Sequence, residues 1–388
     1  MLYEDMAPFF QYHTMSQGST ITTRDAEDRE LGDILDAAVS GNRLSEEDAL
    51  RLFRVSDRRI WDIVHAADER REVVVGNQIT YVRNQNINVT NYCVNACGFC
   101  GFSRKPGEEG GYFHDMETIR EKAALAKSRK VTEICTVSGL HPDFDADSYV
   151  DIITAIREGA PGVHIHASNP MEVAYAARKS GITTLEVLRM MKDAGLGSLC
   201  GTAAEILVDE VREVICPGKV STDEWVRIIR ETHRLGIRST ATIMYGHCET
   251  VQDRVRHLSL LRDIQDDTGG FTEFVPLSFI HMNTPLFRKG IARAGATGRE
   301  DLLMTAVSRL FLDTIDHIQV SWVKTGVKMA QLGLLGGADD LGGTMFEESI
   351  SKGAGARDTD YLDPAEMERI AADIGRTLRQ RDTLYRLI

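Results

Sequence analysis

The feature that most constrains the fold of this chain is an alternation of β-rich and helical segments from residue 79 onward. Apolar, β-branched runs predict strands at 87–92, 131–137, 163–168, 238–245 and 273–279. Residues at helical spacing predict helices between them, over 116–129, 146–158, 184–194, 207–215, 222–235 and 251–266. Repeated strand–helix units of this kind place the strands in a parallel sheet.

The length of the repeating region favours a closed barrel. The segment 87–343 is close to the roughly 250 residues that an eight-unit barrel takes. A doubly wound open sheet is the alternative, but it would normally be shorter or bring a second domain, and no linker rich in Pro, Gly or Ser divides the chain. The sequence therefore predicts an α/β fold, a (β/α)8 barrel of the TIM type over residues 79–345.

The segments outside the barrel are predicted to be extensions of it. We expect residues 1–24 to form a flexible arm and residues 25–78 a helical N-terminal extension. Within that extension, Ser45 and Asp48 have the spacing of a capping box. Residues 346–388 are predicted to form a C-terminal helical extension, in which Asp363 caps a helix and Pro364 takes its first position.

Polar residues on the predicted strands indicate that the barrel interior is not filled with apolar side chains. Strand residues alternate between two faces, so His164 and His166 share one face, as do Asn88 and Thr90. Buried polar groups need partners. We therefore expect a solvated or ligand-filled cavity, with a polar layer satisfied by trapped water as the alternative.

Charge and composition exclude several classes of function. The chain has 58 acidic residues against 45 Lys and Arg, a formal net charge of −13. Binding to nucleic acid or to an anionic membrane surface needs basic residues, and no apolar run is long enough to cross a bilayer. The first basic residue is Arg24, so a signal-peptide n-region is missing. We expect a cytoplasmic protein that binds neither nucleic acid nor membranes.

Three of the seven cysteines, Cys93, Cys97 and Cys100, lie close together directly after the first predicted barrel strand. A structural zinc site would need a fourth ligand nearby, for which His114 is the nearest candidate. An electron-transfer cluster normally takes four cysteines. Three thiolates at the side where barrel enzymes place their chemistry favour a cluster with one iron open to a small ligand, while zinc and a plain electron carrier remain alternatives.

The CxxxCxxC motif, with Phe99 just before its last cysteine, resembles that of the radical S-adenosylmethionine (SAM) superfamily. The resemblance implies a 4Fe–4S cluster held by the three cysteines, with SAM on the fourth iron. One electron then cleaves SAM to methionine and a 5′-deoxyadenosyl radical. The resemblance also implies that Phe99 contacts adenine.

Other cofactor-binding positions follow from the same resemblance. Ser138-Gly139 stands where the superfamily has Gly-Gly-Glu, which binds the methionyl amine. The segment 242–249 loosely matches the adenine-side motif. The residues implied there are Thr242, Gly246 and Glu249.

Over roughly residues 75–388 the resemblance narrows to one family. Strings such as NVTNYCVNACGFCGF, HIHASNPMEV and GADDLGGTMFEESI look like the tyrosine-using subunit of FO synthase. That family joins the 4-hydroxybenzyl part of L-tyrosine to 5-amino-6-(D-ribitylamino)uracil in coenzyme F(420) biosynthesis. The related aminofutalosine synthase and dehypoxanthine futalosine cyclase of menaquinone synthesis tend to have Gly-Gly-Gly-Ala-Glu where this chain has Gly-Thr-Ala-Ala-Glu at 201–205.

The family implies a reaction and partners. The radical takes hydrogen from the tyrosine amino group, the Cα–Cβ bond breaks, and the benzyl radical adds to C5 of the uracil. A low-potential electron donor and the radical SAM subunit 1 of FO synthase, which closes the deazaflavin ring, are the implied partners. The open alternatives are a futalosine-pathway enzyme and a non-catalytic iron–sulfur electron carrier.

The remaining polar residues are candidates for catalysis or substrate binding. Glu205 follows the fourth predicted strand and can bind the ribose of SAM or an amine; a helix N-terminal carboxylate is the alternative. The Gly-rich stretch 336–344 can cradle a carboxylate or form an ordinary turn. The expected catalytic residues are His166, Glu205 and His247. The expected substrate contacts are Asn88, Thr90, His164, Asp339, Asp340 and Thr344.

Overall fold

The fold, seen in a computed structural model that describes residues 23–357 and 360–388, begins with a helical layer. Three helices precede the first strand: α1 (Thr23–Val39), α2 (Glu46–Arg54) and α3 (Ile60–Val75). The capping box at α2 is confirmed, because the Ser45 and Asp48 side chains each accept a hydrogen bond from the other's backbone N–H. Residues 1–22 of the predicted arm lie outside the described residues, and its last two residues belong to α1.

Nine strands follow in the described part of the chain. They are β1 (Gln78–Val82), β2 (Asn84–Asn86), β3 (Glu133–Thr136), β4 (His164–Ala167), β5 (Ser198–Leu199), β6 (Arg238–Tyr245), β7 (Phe271–Ser278), β8 (Asp340–Gly343) and β9 (Thr377–Arg381). The helices among them are α4 (Met116–Ser128), α5 (Ala146–Gly159), α6 (Pro170–Ser180), α7 (Thr184–Ala194), α8 (Asp209–Ile215), α9 (Thr222–Arg234), α10 (Val251–Thr268), α11 (Pro285–Arg288), α12 (Gly298–Phe311), α13 (Trp322–Thr325), α14 (Val327–Leu335), α15 (Ile350–Ala354) and α16 (Pro364–Asp373).

The strands close into a parallel barrel. One sheet has the order β2-β3-β4-β5-β6-β7 and a second has the order β8-β1-β9. The segment 317–320 joins the two sheets, because Ile318 bridges to Phe274 of β7 and Gln319 bridges to Asp340 of β8. On the other side, the chain after β8 bridges to β2 through Phe346 and Gln85. Eight strand positions therefore surround one interior, which confirms the predicted (β/α)8-type architecture.

The first barrel strand ends earlier than predicted. Asn86 is the last residue of β2, whereas the sequence pattern predicts a strand over 87–92. The backbone N–H of Val89 donates to the Ser138 side chain at 2.8 Å rather than to a strand carbonyl. Thr90 likewise bonds through its hydroxyl to the Tyr112 carbonyl at 2.7 Å. These side-chain hydrogen bonds replace the regular backbone bonds of a strand. The strand therefore ends, and the cysteine-containing loop begins.

Strand β7 contains a proline that it tolerates for a topological reason. Pro276 lies on the same side of β7 as Phe274, whose backbone bonds with His317 and Gln319 of the neighbouring segment. That neighbouring segment turns into helix α13 at Trp322. The missing N–H of Pro276 therefore faces this short segment at Gln319, so the backbone bonds of β7 to the segment end at Phe274, while the pairing of β7 with β6 continues to the end of β7.

The C-terminal extension differs from the all-helical segment that the sequence pattern predicts. It contains α15 and α16, but its last element is β9, which pairs in parallel with β1 along Gln78–Val82. Arg381 at the end of β9 is buried, with Nε 2.5 Å from Asp340 Oδ2 and Nη2 3.1 Å from Glu273 Oε2. Ion pairs to distant strands, rather than an apolar pattern, hold this strand in place, which is why its sequence does not resemble a buried strand. No helix in the described residues is long and apolar enough to cross a membrane.

Candidate active site

A cavity of about 340 Å³ opens at the carboxyl ends of the barrel strands. Its walls come from the ends of these strands and from the segments that follow them. They include Asn88 after β2, Ser138 after β3, Asn169 after β4, Thr202 after β5 and Met345 after β8. Parallel barrels bring these loops together at one end, which is where barrel enzymes hold their substrates. The cavity that the polar strand pattern predicts is therefore present, but most of its lining comes from the loops.

Cys93, Cys97 and Cys100 all line this cavity. The loop that carries them is held by its backbone: the Cys93 N–H donates to the Arg104 carbonyl at 3.0 Å and the Gly98 N–H to the Ile215 carbonyl at 2.8 Å. Gly98 has to be glycine, because a Cβ there would lie 2.7 Å from Leu286 Cγ. Burial raises the pKa of Cys97 to about 12.

The spacing of these sulfur atoms fits a multi-iron cluster better than a single ion. Two thiolates on one tetrahedral zinc lie about 3.8 Å apart, given Zn–S bonds of about 2.3 Å. Among the described residues, the one group of three His, Cys, Asp or Glu ligand atoms within 4.8 Å of each other lies elsewhere, at Cys135, His166 and Cys200. The three loop thiols are therefore spread more widely, as attachment to three separate irons requires.

A cationic side chain lies beside the cysteine loop. Lys219 Nζ is 5.1 Å from the centre of the Phe99 ring and forms an ion pair with Glu205. Although burial lowers the pKa of Lys219, the charges of Glu205 and Cys97 raise it above its ordinary value. Glu205 has a φ of 44°, the left-handed conformation that side chains rarely adopt. Phe99, Glu205 and Lys219 thus form one wall of the cavity.

The segment Ser138-Gly139 lines the cavity directly beside the cysteine loop. Gly139 packs against the backbone, since a Cβ there would lie 2.3 Å from the Tyr92 carbonyl oxygen. The Ser138 N–H donates to Glu172 Oε1 at 3.3 Å. Glu172 is only 3% exposed, and burial raises its pKa to about 8. Its carboxyl group therefore lies against the backbone of Ser138 at the cavity wall.

Several buried polar atoms of the cavity wall have no hydrogen-bond partner within the protein. These atoms are Asn95 Nδ2, Glu172 Oε2 and Thr202 Oγ1. Unpaired buried polar groups are rare in folded proteins because each costs about 1–3 kcal/mol. Three of them around one cavity, beside three thiols, fit a polar ligand that carries both donors and acceptors, as SAM does.

One half of the cavity, next to the end of the cysteine loop, carries a second lysine. Lys324 Nζ donates to Ser351 Oγ at 2.7 Å, and burial lowers its pKa. Glu348 Oε1 accepts from the Ser351 N–H at 2.9 Å. Asn88 accepts from Ser349 Oγ at 2.8 Å. This half is built mostly by the chain after β8, and it offers one cation and one carboxylate to a bound molecule.

The predicted residues after β6 form a turn behind the cavity wall instead of lining the cavity. Glu249 accepts from the N–H groups of Gly246 at 2.7 Å and His247 at 2.8 Å, and it pairs with Arg254. Gly246 has a φ of 93° and abuts Ala296. Thr242 donates to the Gly201 carbonyl at 2.8 Å. From this strand the cavity receives Met244.

Both strand histidines also lie outside the cavity lining. His164 Nε2 and His166 Nδ1 share one partner, Ser198 Oγ, at 2.8 and 2.7 Å. Burial lowers the pKa of His166 to about 4, so that its imidazole is neutral. The two side chains belong to a polar layer inside the barrel, below the cavity.

The last four predicted substrate contacts have protein partners of their own. Asp339 bonds to Arg309 at 2.6 Å and to His317 at 2.7 Å. Asp340 bonds to Arg381 and to Thr80. Thr344 donates to the Asn84 carbonyl at 2.9 Å, and Thr90 bonds to the Tyr112 carbonyl. None of these four residues lines the cavity. The polar side chains of the Gly-rich stretch bond instead to other residues of the barrel.

Sequence reasoning missed four charged residues of the cavity: Glu172, Lys219, Lys324 and Glu348. Glu172 lies in the first turn of α6, where an acidic residue is explained by the helix dipole alone. Lys219 and Lys324 are single lysines in loops or short helices. Only their burial beside the cavity distinguishes them from surface lysines.

Models of two protein families together match most of the chain. Residues 87–261 match the radical SAM superfamily, and residues 268–387 match the CofH/MqnC C-terminal region. The chain is 70% identical over 356 residues to the 5-amino-6-(D-ribitylamino)uracil–L-tyrosine 4-hydroxyphenyl transferase of Methanosphaerula palustris. The aligned region covers 92% of this chain and 98% of the relative. The relative of the same name from Methanothermobacter thermautotrophicus is 49% identical, with 89% of this chain and 94% of the relative covered.

Solved structures agree with the fold. Methylornithine synthase matches 89% of this chain and 97% of its own with a TM-score of 0.70 at 19% sequence identity. The FeFe-hydrogenase maturase HydG matches 90% of this chain and 76% of its own with a TM-score of 0.72 at 18% identity. The chain belongs to the radical SAM superfamily and, within it, to the family that carries the CofH/MqnC C-terminal region.

Proposed function

We propose that this chain transfers the 4-hydroxybenzyl part of L-tyrosine to 5-amino-6-(D-ribitylamino)uracil, as the resemblance in its sequence implies. The observation that carries the proposal is the near-complete match to relatives named for this transfer, at 70% and 49% identity. The cavity supports it, because it combines three thiols with charged groups at opposite walls. Membership of the superfamily implies a 4Fe–4S cluster and SAM.

Cys93, Cys97 and Cys100 are the proposed ligands of the cluster. All three face the cavity from one rigid loop. When bound, the cluster and SAM supply a 5′-deoxyadenosyl radical. The protein's part is to hold the reacting molecules in contact and to keep water and other hydrogen donors away.

Glu172 is the proposed partner of the SAM amino group. The superfamily motif ends in a glutamate, but this chain has Leu140 after Ser138-Gly139. Glu172 supplies a carboxylate from a different strand–helix unit, with one oxygen on the Ser138 N–H and the other without a protein partner. Asn95 Nδ2 and Thr202 Oγ1 are further free groups for the same ligand, and Phe99 offers an aromatic face.

Lys324 is the proposed partner of the tyrosine carboxylate. Two lysines line the cavity, and Lys219 already pairs with Glu205. The Lys324 ammonium donates to a neutral hydroxyl, Ser351 Oγ, and has no ion pair within the described residues. The charges of Glu348 and Glu205 act on it from a greater distance. A buried ammonium favours an anionic partner, and tyrosine brings one. Asn88 and Glu348 lie in the same half of the cavity for the polar uracil and ribityl groups.

The partners and the cellular location extend this proposal. A low-potential donor supplies the electron, subunit 1 of FO synthase consumes the product, and the protein works in the cytoplasm. The C-terminal family model spans two kinds of radical SAM enzyme, as its description states, so a futalosine-pathway activity is the second candidate function.

Two parallel substrate assays separate these two candidate functions. The anaerobically reconstituted protein receives dithionite and SAM with either tyrosine plus the diaminouracil or a futalosine-pathway substrate. We expect a hydroxybenzyl–uracil adduct only in the first mixture, with 5′-deoxyadenosine formed there above the level seen without substrate. Turnover of only the futalosine-pathway substrate would contradict the proposal, and no 5′-deoxyadenosine in either mixture would contradict both candidates.

A further inference from the structure

A second group of metal-ligating side chains lies inside the barrel, apart from the cysteine loop. Cys135 of β3, His166 of β4 and Cys200 after β5 come from three adjacent strand positions, and their ligand atoms lie within 4.8 Å of one another. Cys135 also lines the floor of the cavity, whereas His166 and Cys200 are buried beneath it. Neither the radical chemistry nor the cluster uses this group.

The imidazole of this group is oriented by a second hydrogen bond. His166 Nδ1 is 2.7 Å from Ser198 Oγ, and the same hydroxyl holds His164 Nε2 at 2.8 Å. With Nδ1 engaged, Nε2 remains for another partner. A ring nitrogen fixed by a neighbouring oxygen while the other binds metal is the usual arrangement of a histidine ligand.

The charges around the group favour a cation. Glu133 and Glu172 are both close enough to Cys200 to act on it electrostatically. Both carboxylates are buried, at 6% and 3% exposure, and Glu172 Oε2 has no protein partner. Of the two, Glu133 is ionised: although burial raises its pKa, the neighbouring His166 and Arg381 outweigh that effect and leave the pKa lowered. A cation bound between two thiolates and an imidazole would offset its negative charge.

We propose that Cys135, His166 and Cys200 form a three-ligand site for a soft divalent cation such as Zn²⁺. Two sulfurs and one nitrogen are the donors that Zn²⁺ prefers, and tetrahedral zinc spaces them about 3.5–3.8 Å apart, compatible with the observed limit after small side-chain shifts. Binding releases the two thiol protons and involves no electron transfer. Three protein ligands would leave a fourth coordination position for a water or for an oxygen or nitrogen of a molecule bound in the cavity that Cys135 lines.

Zinc binding to the holoenzyme tests the site directly. The protein with its iron–sulfur cluster in place is equilibrated with Zn²⁺ under anaerobic conditions and desalted, and zinc and iron are counted per chain. X-ray absorption at the zinc edge then identifies the ligands without interference from iron. We expect about one zinc per chain, unchanged iron content, and a first shell of two sulfurs and one imidazole nitrogen completed by a light atom.

Single-cysteine variants provide the matched comparison. Cys135→Ser and Cys200→Ser are each expected to reduce retained zinc at least tenfold at unchanged iron content, whereas Cys248→Ser, which changes a cysteine outside the group, keeps it. A wild-type first shell without sulfur, less than a tenth of an equivalent of zinc, or full zinc retention in both variants would overturn the proposal. So would a Cys135–Cys200 disulfide in the anaerobic protein. The wild-type spectrum decides the matter even if a variant folds poorly, and none of these readouts depends on the transferase activity.

Discussion

At the scale of single residues, the cysteine loop is the part of the site that local sequence defines completely. Because Cys93, Cys97 and Cys100 face one cavity, we expect replacement of any one by Ala to abolish SAM cleavage. Cys216→Ala is the control, since Cys216 is a buried cysteine outside the motif. The measurement is 5′-deoxyadenosine formed with dithionite. Equal loss in the Cys216 variant would show that the ligand set is incomplete.

Glu172 carries a prediction about pH. Burial raises its pKa to about 8, so in the ligand-free protein the carboxyl group is mostly protonated below that pH. An ammonium partner requires the carboxylate, and SAM affinity should therefore rise as the pH approaches 8 and level off above it. Glu172→Gln should weaken SAM binding about ten- to a hundredfold, since a charged hydrogen bond contributes about 1.5–3 kcal/mol, and should remove this pH dependence. Titration of SAM into the reconstituted protein at several pH values measures both effects. An unchanged pH profile in the variant would exclude Glu172 as the amine partner.

The proposed role of Lys324 predicts that its replacement affects the use of tyrosine but not SAM cleavage. Lys324→Gln removes a cation from the cavity wall, so KM for tyrosine should rise about tenfold or more, while SAM cleavage without substrate is retained. Lys352→Gln, which changes an exposed lysine on α15, should change neither. Slower SAM cleavage in Lys324→Gln with an unchanged KM for tyrosine would instead place this lysine at the cofactor.

At the scale of secondary-structure elements, β9 depends on one buried charge. Arg381 is 1% exposed and contacts Asp340 and Glu273, whereas Arg379 on the same strand is exposed. Removing one partner of a buried ion pair costs about 3–5 kcal/mol, because the other charges remain buried. We expect Arg381→Met to lower the free energy of unfolding by that amount and Arg379→Met to leave it within about 0.5 kcal/mol of wild type. Denaturant unfolding of both variants measures the difference. Equal stability of the two would mean that the buried pair does not hold β9.

The strands also show which elements a local sequence pattern can predict and which it cannot. Strand β6 has the predicted bounds, because its eight residues alternate between two well-packed faces. Strand β5 has two residues, β8 is half glycine, and β9 is mostly polar. Their backbone partners are distant in the sequence, and no local period marks them. The barrel could thus be predicted from its regular units, but its closing strands could not.

At the scale of the whole molecule, the barrel interior has two polar levels. The upper level is the cavity, with its thiols and charged groups, and the lower level is the network of His164, His166 and Ser198. Alternation along a strand identifies inward-facing residues but not their height in the barrel. For this reason the sequence pattern makes His166 an expected catalytic residue and His164 an expected substrate contact, whereas it does not indicate Glu172 and Lys324, which come from helices.

The central claim is that three thiolates hold a 4Fe–4S cluster whose remaining iron is open to SAM in the cavity. Electron paramagnetic resonance of the reduced, reconstituted protein tests it most directly, with SAM as the only variable. We predict a reduced-cluster spectrum that changes when SAM is added. A spectrum that SAM does not alter, or zinc in place of iron at the loop cysteines, would contradict the account.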